Sequence, residues 1–103
     1  MIFIETPIFT RLITELLDDD EYSKLQAELA KHPNVGNLIK NGGGIRKLRW
    51  KRAGTGKSGG IRVIYYWITE DNQIFMLVAY PKSVKDNLTD RETAILRNLV
   101  KEL

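Results

Sequence analysis

The chain has no cysteine, one histidine and three prolines in 103 residues. Without cysteine there are no disulfides and no thiolate metal sites, so a reducing compartment is allowed but not required. A lone histidine, His32, excludes the usual histidine-cluster zinc sites and any two-histidine nuclease arrangement. His32 precedes Pro33 at the end of a helical pattern, where a surface or capping role is expected. No Ser-His-Asp set can be read. No apolar run approaches the roughly 18 residues of a membrane span. The first residues, MIFIETP, lack a basic leader followed by an apolar region, so no signal peptide is expected and a cytoplasmic location is the default. Acid is missing from one long interval, between Glu28 and Glu70.

The acid-free interval is rich in the opposite sign. Gly42 to Tyr66 carries seven cations: Arg46, Lys47, Arg49, Lys51, Arg52, Lys57 and Arg62. The net charge is only +3, so segregation of charge is a stronger signal than its sum. A concentrated positive surface without counter-charge of its own points to a polyanion partner; the bland alternative is a solvated basic face.

The remaining pattern predicts one small domain over 1–103. Residues 2 to 5 read as a strand. Thr6-Pro7 starts a helix, with Ile8, Phe9, Leu12, Ile13, Leu16 and Leu17 on its apolar face. Asp18-Asp19-Asp20-Glu21 suits the N-terminus of a second helix better than a metal site, and Tyr22, Leu25 and Leu29 form its buried stripe. Asn34 to Gly44 reads as loop. Ile45 to Trp50 alternates, with Lys47 and Arg49 on one face and Leu48 and Trp50 on the other. Arg52 to Gly60 reads as a flexible loop. Ile61 to Thr69 and Gln73 to Tyr80 are two-sided apolar strands joined at Asp71-Asn72. Thr89 with Glu92 makes a capping-box pattern ahead of a short terminal helix. Early helices and late strands predict an α+β fold, with helices on one face of a mostly antiparallel sheet and cations on the other.

Two glycine motifs mislead. Gly54 to Gly59 matches G-x-G-x-x-G, but a strand follows where a dinucleotide site needs a helix. Gly56-Lys57-Ser58 looks like the end of a P-loop, yet Lys51 stands where that motif needs its first glycine. A hairpin loop is the simpler reading, and it can still bring Lys57 to a phosphate. Trp50, Trp67, Tyr65, Tyr66 and Tyr80 are able to stack on bases. Most are expected in the core, with Tyr80, at a strand end beside Pro81 and Lys82, open to either role.

Three segments together carry a family resemblance: Gly44 to Arg49, Gly56 to Tyr66, and Tyr80-Pro81-Lys82 with Asp86-Asn87-Leu88-Thr89 and Glu92. They resemble the RelE/HigB-type toxins of bacterial type II toxin–antitoxin systems, nearest the HigB-like branch. The likeness covers most of the chain in element order. It implies a RelE-like fold with an N-terminal strand and two-helix hairpin packed on the sheet. It implies a ribosome-dependent mRNA interferase that cuts translated mRNA in the ribosomal A site, neutralised by a cognate antitoxin. DNA contact would come only through the antitoxin complex, and no cofactor or metal is implied. Carried over residue by residue, the catalytic set is Lys47, Arg49, Arg62 and Lys82. Lys51, Arg52, Lys57 and Tyr80 are expected to bind RNA. Pro81 replaces a glycine common in the RelE pattern, Ser83 stands where RelE has another arginine, and Thr89 falls near a RelE tyrosine, which leaves acid and base roles open. The alternatives are a non-catalytic RNA- or ribosome-binding module using the same face, or a domain that meets an acidic protein.

Overall fold

The computed structural model describes residues 1–52 and 59–103. The chain runs β1 (Ile2–Glu5), α1 (Pro7–Leu16), α2 (Asp19–Lys31), β2 (Asn37–Leu38), β3 (Arg46–Lys51), β4 (Gly60–Ile68), β5 (Gln73–Pro81) and α3 (Asp90–Lys101). The five strands form one sheet in the order β1-β5-β4-β3-β2. Every neighbouring pair is antiparallel except β1 and β5, which run parallel. The expected α+β architecture is therefore present, and the expected loop at 34–44 contains the short strand β2. Two exposed residues carry no alternation, so β2 leaves no mark in the sequence.

Local chemistry fixes the helix starts. The Thr6 hydroxyl accepts from the Phe9 amide at 3.0 Å and donates to the Leu77 carbonyl at 2.7 Å, tying α1 to β5. Pro7 occupies the first turn, where its missing N–H is no loss. Asp18 caps α2 by accepting from the Glu21 amide at 2.8 Å, and the acids of that run fill its first turn. Thr89 and Glu92 close a full capping box on α3.

The sheet is apolar on both faces. Phe9, Ile13, Leu25 and Leu29 of the helical hairpin pack on Leu48, Ile61, Val63, Tyr65 and Met76. The alternate residues Ile64, Leu77 and Tyr80 pack with Ile45 and Val100, so α3 lies on the opposite face. Helices thus cover both faces, a departure from the expected one-sided packing. Ile8, Ile95 and Leu99, expected on buried stripes, are 55%, 58% and 42% exposed.

Two details position the cationic strands. Tyr65 is fully buried and its hydroxyl accepts from the Gly36 amide at 2.9 Å while donating to the Pro33 carbonyl at 2.6 Å. A Cβ at Gly36 would come within 2.8 Å of the Tyr65 ring, so only glycine lets β2 close on β3 there. The second detail is a bulge: Ile64 pairs with Val78, but Tyr65 pairs with Met76, leaving Leu77 as the extra residue of β5. The extra residue reverses the alternation along β5. Ile74, Met76 and Ala79 all face α1 and α2, while Tyr80 faces the other way.

Candidate active site

The register aligns the cations in a row. Lys47 and Arg49 stand two residues apart on β3 and therefore on one face. Arg49 lies opposite Arg62 on β4, and Arg62 lies opposite Tyr80 on β5. The bulge at Leu77 is what turns Tyr80 toward this row. Lys51, exposed at the end of β3, pairs with Gly60. Arg52 donates its Nε–H to the Gly59 carbonyl at 2.5 Å. Lys82 is exposed just past β5, and its amide donates to the Gly60 carbonyl at 2.9 Å, extending the β4–β5 ladder by one bond. Lys57 lies outside the described residues, as do most residues of the Arg52–Gly60 loop. Arg46 belongs to the scaffold: its guanidinium donates to the Gly36 carbonyl at 2.8 Å.

The segment after β5 brings an acid onto the row. Asp86 Oδ1 accepts from Arg62 Nε at 2.7 Å and lies 2.7 Å from Arg62 Nη2. Arg62 is 6% exposed, a buried cation on the α3 side of the sheet. The expectation of a cationic surface without counter-charge is corrected here. The acid-free interval ends at Glu70 in sequence, but the turn after β5 returns Asp86 from outside it. The Lys47 ammonium donates to the Asp86 carbonyl at 3.3 Å and to the Asn87 side chain. The Tyr80 hydroxyl donates to the same carbonyl at 3.4 Å.

Tyr80 is 6% exposed, with the Lys85 ammonium 5.0 Å from its ring centre. Of the two roles the sequence leaves open for it, core and stacking, the ring takes a core position on the α3 face of the sheet. Its phenol forms the floor of the site and is pushed up to about 12 by burial, so it is a neutral donor at physiological pH. Lys85 is itself paired with Glu92 of α3.

Electrostatics separate the cations. Lys47 is held below the ordinary lysine range, first by burial and then by Arg49 and Arg62, with Asp86 opposing. The Asp86 carboxyl is held below the usual carboxylate range, chiefly by its hydrogen bond to Arg62, and it stays ionised. A lysine with lowered proton affinity beside two guanidinium groups can take a proton while its neighbours stabilise negative charge. Asp86 and Asn87 enter the sequence reading only among the residues that carry the resemblance, with no role of their own. Among the described residues, no group of three or more His, Cys, Asp or Glu side chains converges as a metal site would require. No helix among them is long and apolar enough to cross a membrane.

The class defined by this fold and site is a small α+β protein whose central strands carry lysine and arginine in one row. Within that class, residues 6–103 match the family model of the RelE toxin of the RelE / RelB toxin-antitoxin system. The chain belongs to the RelE toxin family: it is the toxin component of a toxin–antitoxin system, and an antitoxin is its cognate partner.

Proposed function

We propose that this toxin is a ribosome-dependent endoribonuclease that cleaves mRNA in the ribosomal A site, acting in the cytoplasm as one domain. The observation that supports it most is the alignment of Lys47, Arg49 and Arg62 on one face, with Lys47 reduced in proton affinity. RNA brings its own nucleophile. Lys47, in its neutral form, removes the proton of a 2′-hydroxyl, and the 2′-oxygen attacks the adjacent phosphorus. Arg62 and Arg49 stabilise the charge gathered on the phosphorane. The bond to the 5′-oxygen breaks, that oxygen takes a proton from the Lys82 ammonium while Arg49 stabilises the departing charge, and a 2′,3′-cyclic phosphate remains. Lys51, Arg52 and Lys57 grip backbone phosphates, which gives affinity without sequence preference. Every proton in this scheme moves between RNA and side chains, with no metal required. Operator DNA is met only through the antitoxin.

The test is induced expression followed by mapping of mRNA ends on translating ribosomes. Cuts inside reading frames, absent when Arg62 is replaced by alanine, are expected. Stalled ribosomes carrying intact mRNA would instead mark a binding-only module, and no ribosome association at low salt would mark a protein-docking domain.

A further inference from the structure

The proposed function places a phosphodiester at Arg62, yet an anion already sits there. The Nε–Nη2 edge of a guanidinium is shaped for a carboxylate or a phosphate. Here Asp86 takes that edge through one oxygen. The two partners are buried unequally: the Arg62 side chain is 7% exposed and that of Asp86 is 48% exposed. The carboxylate can move into water with little loss. The guanidinium cannot, because a buried cation left without an anion is strongly disfavoured. The pocket therefore favours an anion, though not this particular one.

The surrounding bonds permit an exchange. Lys47 and Tyr80 hold the Asp86 backbone carbonyl, not its carboxylate. The Pro81 carbonyl, accepting from the Val84 and Lys85 amides, keeps the turn folded. Arg62 Nη1 donates to the Ile61 carbonyl at 3.3 Å, which keeps the guanidinium in place. Rotation of one side chain thus opens the site without moving the segment.

We propose, resting on the reading of this face as an RNA site, that Asp86 is a resident stand-in for an RNA phosphodiester on Arg62, displaced into solvent when the phosphate arrives. Asp86 then acts as a brake. The free toxin holds loose RNA weakly, and cleavage requires that something else, such as the ribosome, present the phosphate. Asp86 touches the group that binds substrate, and its effect is on occupancy of that group.

The experiment measures binding of a 2′-O-methyl oligoribonucleotide, which cannot be cleaved, without ribosomes. Asp86→Asn keeps the shape and removes the charge. It is expected to bind about tenfold tighter than the wild type, the equivalent of one charge-assisted hydrogen bond. In an Arg62→Met background the same change is expected to give no such gain. Unchanged or weaker binding by Asp86→Asn overturns the proposal, as does an equal gain in the Arg62→Met background. Should Asp86→Asn not fold, the wild type decides. The Asp86 carboxyl carbon, followed by NMR, is expected to titrate at higher pH when inorganic phosphate saturates the site; no movement overturns the exchange. The two proposals fail separately. A wild type that never cuts mRNA, with tighter binding by Asp86→Asn, sinks the nuclease and keeps the brake. A wild type that cuts, with weaker binding by Asp86→Asn, does the reverse.

Discussion

Removing either half of the Arg62–Asp86 pair should destabilise the protein by very different amounts. Asp86→Ala strands a guanidinium whose side chain is 7% exposed, whereas Arg62→Met strands a carboxylate that is already 48% exposed. A fully buried charge left alone costs about 3–5 kcal/mol. Arg62 lies near a surface segment that water can enter once the carboxylate is gone, so about 2–3 kcal/mol is the reasonable figure for Asp86→Ala. Methionine keeps most of the apolar stem of Arg62, and the freed Asp86 returns to water, so Arg62→Met should cost about 1 kcal/mol or less. Urea unfolding at pH 7 in phosphate-free buffer measures both, and the difference in midpoints at constant slope gives the energies. Adding inorganic phosphate should recover part of the Asp86→Ala loss, because an anion that binds the folded state stabilises it. Equal losses, or a larger loss for Arg62→Met, would refute the inequality of burial on which the reasoning rests.

Three further outcomes follow from other parts of the structure. Tyr65→Phe removes the partner of the buried Gly36 amide and of the Pro33 carbonyl, and should cost about 2–3 kcal/mol in urea unfolding while loosening β2. The Asp86 carboxyl is depressed in the folded state, so its stabilising effect is complete above the ordinary value of 3.8 and is lost as pH falls through the lower folded value. The stability gap between wild type and Asp86→Asn should therefore be constant near neutrality and shrink in acid, as urea midpoints against pH will show. A lysine base is active when neutral, so the cleavage rate should rise with pH and level off below the ordinary lysine value of 10.5. Lys47→Arg, which cannot lose its proton, should remove that dependence and slow cleavage by about a hundredfold or more.

Much of the fold is legible in the sequence, for identifiable reasons. Thr6-Pro7, Asp18 and Thr89 with Glu92 mark three helix starts, because capping is local chemistry between residues three apart. Alternation put Lys47 and Arg49 together on β3, since strand periodicity needs no partner to be read. What pairing decides was hidden. The β5 bulge at Leu77 turns Tyr80 toward the cationic row, yet nothing in the run Met76-Leu77-Val78-Ala79 marks the extra residue, because both faces are apolar. Asp86 was hidden more deeply. It lies 24 positions from Arg62, and only the fold of the turn after β5 brings the two together. The terminal helix was visible by its period, but the sheet face it covers was not, because periodicity gives a stripe and not a destination.

The central claim is that aligned cations on β3 and β4 perform phosphodiester chemistry. Single-turnover cleavage of mRNA on programmed ribosomes tests it most directly, with wild type, Lys47→Met and Arg62→Ala compared at saturating toxin. The account predicts that both variants still associate with ribosomes but cut at least about a hundredfold more slowly. Cleavage by Arg62→Ala at the wild-type rate would contradict it.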